Sequence, residues 1–419
     1  MIKQAYNNHK ETANNFIWRA IQTFGKQGIT FFIFIICAKL LVPYEFGIYN
    51  YALAVIFLLI MFGDFGISTA TSKYVAEYNA TDKEKLKSIL FNSGIIILGL
   101  TLIITILTLL LGKLLLGDKY VYILYLLPLI FLAPMTSLYD GIYRGLKKFK
   151  QVAIISLIVG TISFSFIYIL IKQYGLVGAL ISQNLFYLTL LLGLGLGYRE
   201  LHFKLNKEVM KKIGTYSFVF GIAVLGYYLF SRIDIVILGK YGYITQIATY
   251  ELINKIVALL LVPFTILGQV IAPNMTMNYA KNQKEKVLRS YKKYVFVLII
   301  VSILITLISF VVFPFIVKLF FNNYYNSLLF KIMIPAIFIF GLAIFNSPIN
   351  AGIIVSTGHA KLMTYLNIWM GIANVILALI LLNFMGFIGV IYATLISNFV
   401  GTIVLQTKYY HILKNETKK

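Results

Sequence analysis

Acidic residues are scarce in this chain of 419 residues: Asp and Glu number 14 against 37 Lys and Arg, a formal net charge of +23. Charged residues make up only 12% of the sequence, about half the share of an ordinary soluble domain. So little charge, in so apolar a chain, excludes a typical cytosolic enzyme and a disordered polymer. The one cysteine, Cys37, excludes an intrachain disulfide framework. The four histidines, His9, His202, His359 and His411, have no metal-ligand spacing. Phosphate-binding glycine loops, nucleophile elbows and H-E-x-x-H pairs are also missing. No catalytic constellation, metal or cofactor is therefore expected. Residues 1–14 are polar and no short apolar region with a small-residue cleavage site follows them, so no cleavable signal peptide is expected.

Apolar residues dominate what is there, at 60% of the chain, with a mean hydropathy of +0.87. A stretch of about 20 apolar residues spans a bilayer. Such segments fall at 15–38, 45–70, 89–112, 120–143, 151–171 and 176–198, then at 214–239, 245–277, 294–319, 327–355, 363–384 and 386–407. The expected fold class is an all-α polytopic membrane protein with about twelve transmembrane helices.

The basic residues orient it. With the N-terminus in the cytoplasm, the outward loops hold only Lys39, Lys113, Lys119, Lys172, Lys240, Lys318 and Lys331. Most other Lys and Arg fall in the inward tails and loops, as in Lys83, Lys85 and Lys87 or Lys281, Lys284, Lys286 and Arg289. Positive residues stay inside, so both termini are expected in the cytoplasm of a cell-membrane protein. The same bias accounts for the net charge without a nucleic-acid partner.

The chain repeats internally. A shift of 201 residues lays Lys39 on Lys240, Tyr49 on Tyr250 and Tyr78 on Tyr279, and it lays Lys83-Glu84-Lys85 on Lys284-Glu285-Lys286. A shift of 211 lays Gly175-x-x-Gly178 on Gly386-x-x-Gly389. Two six-helix halves, 1–205 and 206–419, are expected. Six is even, so the halves should be parallel bundles around a central cavity.

Charges inside a membrane are costly, roughly 2.5–3.5 kcal/mol each on insertion scales, and are kept where they line a cavity or a pathway. In the first segment Asn15, Arg19, Gln22 and Lys26 form one helical stripe. Asn50 and Asp64 share a face of the second, and Arg232 and Asp234 lie in the seventh. In the eighth, Glu251 and Lys255 are an i,i+4 pair, with Asn254 and Gln269 extending that face. Asp140 and Arg144 read as an interfacial pair.

Several stretches resemble one family. Leu41-Val42-Pro43-Tyr44-Glu45-Phe46-Gly47-Ile48-Tyr49 resembles its L-x-P-x-E-F-G-x-Y signature, with Val42 where many relatives have Gly. Asp64-Phe65-Gly66 resembles its D-x-G motif. Arg232-Ile-Asp234, Ile247-Ala248-Thr249-Tyr250, Pro263 and Pro273 are similar to its seventh and eighth segments. The family is the polysaccharide/O-antigen transporters (Wzx-type lipid-linked oligosaccharide flippases) of the multidrug/oligosaccharidyl-lipid/polysaccharide (MOP) exporter superfamily.

The resemblance implies movement of a polyprenyl-(pyro)phosphate-linked oligosaccharide to the outer leaflet by alternating access, for cell-surface polysaccharide synthesis. It makes Arg19, Lys26, Arg232 and Lys255 the cationic cavity that receives the phosphate. Asn15, Gln22, Asn50, Asn254 and Gln269 would be polar lining, and Asp64, Asp234 and Glu251 candidate ion or proton carriers. The partners implied are the glycan-lipid, membrane lipids and the glycosyltransferases or polymerase of the same process. A multidrug or lipid exporter of the superfamily is the nearest alternative. A membrane glycosyltransferase or ligase would need large outer loops with acidic residues, and the outer loops here are short.

Overall fold

In hydrocarbon every backbone N–H and C=O must find an internal partner, so long apolar runs close into helices. The computed structural model describes Trp18, Gly25, 28–198 and 203–417. Among these residues the regular structure is helical throughout, with no strand. Asn15, Arg19, Gln22 and Lys26 lie outside the described residues.

The helices run α1 (Gly28–Leu40), α2 (Pro43–Asp64), α3 (Ile67–Thr81), α4 (Lys83–Leu116), α5 (Tyr120–Leu126), α6 (Leu129–Gly145), α7 (Phe149–Leu196) and α8 (Lys207–Ser231). They continue as α9 (Ile233–Lys240), α10 (Ile244–Leu260), α11 (Val262–Ala280), α12 (Lys284–Phe320), α13 (Ser327–Ile349), α14 (Ala360–Met385) and α15 (Phe387–Thr417). Four of the expected spans are each built from two helices: the second from α2 and α3, the fourth from α5 and α6, the seventh from α8 and α9, the eighth from α10 and α11. One helix, α7, is two spans joined at a kink. With α1 as the described end of the first span, the chain is an all-α polytopic membrane protein of about twelve spans.

The repeat is visible in the helix starts. Pro43 and Lys83 open α2 and α4; Ile244 and Lys284, 201 residues on, open α10 and α12. Phe149 and Ala360, 211 residues apart, open α7 and α14. The two glycine pairs make the same hairpin. Gly175 has φ 53° and ψ −129°; Gly386 has φ 61° and ψ −146°. That region is essentially reserved for glycine. One turn on, a Cβ at Gly178 or Gly389 would run into the carbonyl of Leu170 or Leu381. Each G-x-x-G therefore supplies the turn and the clearance for two antiparallel helices to touch.

By its contacts the chain divides into two compact units, with the boundary between Val224 and Leu225, inside α8. The start of α8 belongs with the first unit. Asn92 of α4 accepts from Asn206 N at 2.8 Å and donates to Lys204 O at 3.0 Å. Lys85 pairs with Glu208 at 2.9 Å.

Within the first unit, α2 is well covered, whereas α4 turns Leu102, Leu110 and Leu114 outward. In the second unit α13 is the covered helix, and α12 turns Ile303, Leu307 and Val311 outward. Lipid tails are as apolar as leucine, so helix association rests on close packing and interhelical hydrogen bonds, about 0.6 kcal/mol each on average. Thr71 to Ser93 at 2.8 Å and Tyr143 to Leu194 O at 3.0 Å serve the first unit. Ser302 to Gly341 O and Asn346 to Thr402, both at 2.6 Å, serve the second.

Candidate functional site

The densest group of charges in the described spans lies in the second unit, at the break between α8 and α9. Arg232 leaves helical geometry there, with φ −143°. The break frees the last carbonyls of α8, and Asn374 of α14 reaches two of them, Leu229 O and Phe230 O, with long bonds of 3.5 and 3.4 Å. It also fixes the direction of the Arg232 side chain, which runs to α10. Its Nη1 lies 2.9 Å from Glu251 Oε1 and 3.0 Å from Oε2. Asn254, one turn along α10, donates to the same Oε1 at 3.0 Å.

Burial separates the partners. The Glu251 side chain is 3% exposed and that of Arg232 39%. Glu251 is thus the covered member of the pair, and Arg232 the one whose side chain meets the surroundings. The geometry adds a partner from another helix: Glu251 pairs directly with Arg232, while Lys255 follows it one turn along its own helix. Helical spacing names only partners on the same helix, and Arg232 is not on it. Lys255 follows Glu251 on α10 and is partly buried.

A second acid completes the group. Asp234 sits in the first turn of α9, where the helix N-terminus favours a negative charge. It is 2% exposed. Tyr250 donates its hydroxyl to Asp234 Oδ2 at 2.6 Å, and Ile235 N donates to Oδ1 at 2.9 Å. The tyrosine was not among the expected site residues. Its signal lay in the repeat, which sets it on Tyr49.

The other expected site residues are dispersed. Asn50 is buried, and its amide donates to Phe46 O of its own helix at 2.7 Å. Next to it, Tyr49 accepts from Gln183 of α7 at 2.6 Å. Gln269 is exposed on α11. Asp64 is half-buried and caps α3, accepting from Ser68 N at 3.0 Å and from the Ser68 hydroxyl. The cap explains the D-x-G pattern. Phe65 and Gly66 take φ of 37° and 80° to break the helix, and α8 passes so close that a Cβ on Gly66 would lie 2.9 Å from Ser217 O. Asp140 and Arg144 form their pair at 3.1 Å.

Residues 12–279 match the family model described as polysaccharide biosynthesis protein. The chain belongs to that family. A second model, MatE, matches residues 220–380. No curated protein matches it. Among solved structures it is similar to an inward-facing multidrug resistance MATE family transporter of the MOP superfamily, with a TM-score of 0.78 and 18% identity over 96% of this chain and 99% of that one. It is similar to the lipid II flippase MurJ in an inward closed conformation, with a TM-score of 0.76 and 18% identity over 94% of this chain and 87% of that one. A MOP superfamily transporter from Pyrococcus furiosus, described by the reverse polarity of its binding pocket, follows with a TM-score of 0.62 and 18% identity over 96% and 95%. This member of the polysaccharide biosynthesis family therefore has the MOP transporter fold.

Proposed function

We propose that the protein is a flippase that carries a polyprenyl-(pyro)phosphate-linked oligosaccharide from the cytoplasmic to the outer leaflet of the cell membrane, for cell-surface polysaccharide synthesis. The observation that carries this reading is the match of residues 12–279 to a polysaccharide biosynthesis family in a chain with a transporter fold. The cargo class fits the chemistry. Its phosphate is anionic, and arginine binds phosphate through two parallel hydrogen bonds from one guanidinium edge. Arg232 is a half-exposed arginine on a membrane-embedded helix break. With Arg19, Lys26 and Lys255 it forms the proposed cationic surface, lined by Asn15, Gln22, Asn254 and Gln269. Asp64, Asp234 and Glu251 are the acids through which an ion or proton gradient would act.

The proposed halves, 1–205 and 206–419, rock against each other to expose the cargo first inward and then outward. Both termini lie in the cytoplasm, where the glycosyltransferases deliver the glycan-lipid; a polymerase or ligase receives it outside. The MatE match over 220–380 favours a second reading, export of small organic molecules. Depleting the protein in its own cells separates the two. The flippase reading expects lipid-linked oligosaccharide to accumulate and surface polysaccharide to fall, with resistance to organic cations unchanged. Lost resistance with normal surface polysaccharide would establish the second reading.

A further inference from the structure

A carboxylate beside a phosphate-binding arginine is at first sight a fault, because it repels the ligand. Its geometry gives it a purpose. Both Glu251 oxygens bond one guanidinium nitrogen, Nη1. Among the described residues, no bond is formed to the edge made by Nη2 and Nε. That edge carries the two parallel donors that a phosphate takes.

Glu251 is itself held. It is covered, and Asn254 fixes Oε1. The carboxylate therefore cannot swing aside with a bound ligand. It stays at the Nη1 corner of the guanidinium, where its charge still acts on any anion seated on the open edge. Like charges this close, away from bulk water, repel each other appreciably.

We propose that Glu251 is the positioning residue and resident counter-anion of Arg232. It holds Nη1 inward so that the Nη2–Nε edge is presented to the cargo phosphate, and its charge weakens that phosphate's hold enough for release. The inference rests on the reading that the cargo carries a phosphate. It explains two features together. An unpaired guanidinium would be costly in the membrane when no cargo is bound, and Glu251 removes that cost. A guanidinium with no opposing charge would hold pyrophosphate more tightly and release it more slowly, and Glu251 offsets that hold.

The probe is inorganic pyrophosphate, titrated calorimetrically into the purified full-length chain in nanodiscs at fixed ionic strength. E251Q keeps the shape and the Asn254 contact but loses the charge, and should bind at least tenfold tighter than wild type. The gain should vanish in R232Q/E251Q. R232K keeps a pair with Glu251 but has one nitrogen and no second edge, and should bind at least tenfold more weakly while folding normally. Binding by E251Q equal to or weaker than wild type would overturn the inference. So would a gain that persists without Arg232, or an R232K protein that binds as well as wild type. Failure of the flippase reading would look different: pyrophosphate binding with these ratios, in a protein that moves no lipid-linked glycan.

Discussion

Tyr49 and Tyr250 hold the same place in two equivalent helices: each is the seventh residue, of α2 from Pro43 and of α10 from Ile244, and each is buried. Their hydroxyls have diverged. That of Tyr49 accepts from the neutral amide of Gln183, whereas that of Tyr250 donates to the carboxylate of Asp234, both at 2.6 Å. One position of the repeat thus serves packing in the first unit and a charged group in the second. The next residue repeats the contrast, with Asn50 bonded to its own helix and Glu251 holding Arg232.

The Tyr250–Asp234 bond yields the first prediction. Tyr250→Phe leaves a buried carboxylate short of one donor, which costs about 1–3 kcal/mol. The melting temperature of the purified protein should fall. In a double-mutant cycle Asp234→Asn should recover part of the loss, because a neutral amide needs the donor less. Strictly additive effects of the two changes would mean the bond contributes nothing.

The hairpins yield the second. Gly175→Ala and Gly386→Ala force a side chain into backbone geometry reserved for glycine, at about 1–3 kcal/mol each. Gly178→Leu and Gly389→Leu should be worse, since the new side chain meets a carbonyl of the opposing helix. Gly99→Ala, in open space on α4, is the control. Monodisperse protein in detergent extracts should drop for the four hairpin variants and stay level for the control. Equal yields throughout would contradict the hairpin account.

How much of this was legible in the sequence differs by level. Runs without charge, such as Ile95–Leu111 and Val295–Phe313, announce their helices because only a helix satisfies the backbone there. The glycine hairpins were legible for the same kind of reason, since a turn with positive φ leaves few choices of residue. The interruptions at Phe65–Gly66, Leu261 and Arg232 were not, because hydropathy runs unchanged through them. Pairing was legible only along a helix. Asp140 with Arg144 could be read from spacing, but Arg232 with Glu251 depends on how α9 and α10 pack, which no local period encodes. The stripe of Asn15, Arg19, Gln22 and Lys26 lies outside the described residues and stays a proposal.

Orientation gives the third prediction. Reporter fusions after Lys87, Lys150, Lys212 and Lys293 should report cytoplasm, and fusions at Lys113 and Asn322 the outer side, because basic residues are retained inward. The reverse pattern would invert the proposed direction of transport.

The tie between α4 and the start of α8 gives the fourth. Asn92→Ala removes the acceptor for Asn206 N and the donor to Lys204 O, a loss of about 1–3 kcal/mol if the backbone groups stay buried. Proteolysis near residues 203–206 should quicken, with the membrane-embedded fragments intact. Cleavage at the wild-type rate would show that the loop is held by other contacts, the Lys85–Glu208 pair foremost.

The most direct measurement of the central claim is flipping in a purified system. The protein is reconstituted into sealed vesicles with a fluorescent polyprenyl-pyrophosphate oligosaccharide, and the fraction of lipid reached by an external quencher or lectin is followed over time. The account predicts redistribution of the glycan-lipid that depends on the wild-type protein and is at least tenfold slower with R232Q at equal reconstituted protein. Redistribution no faster than in protein-free vesicles, with the protein folded and inserted, would contradict it.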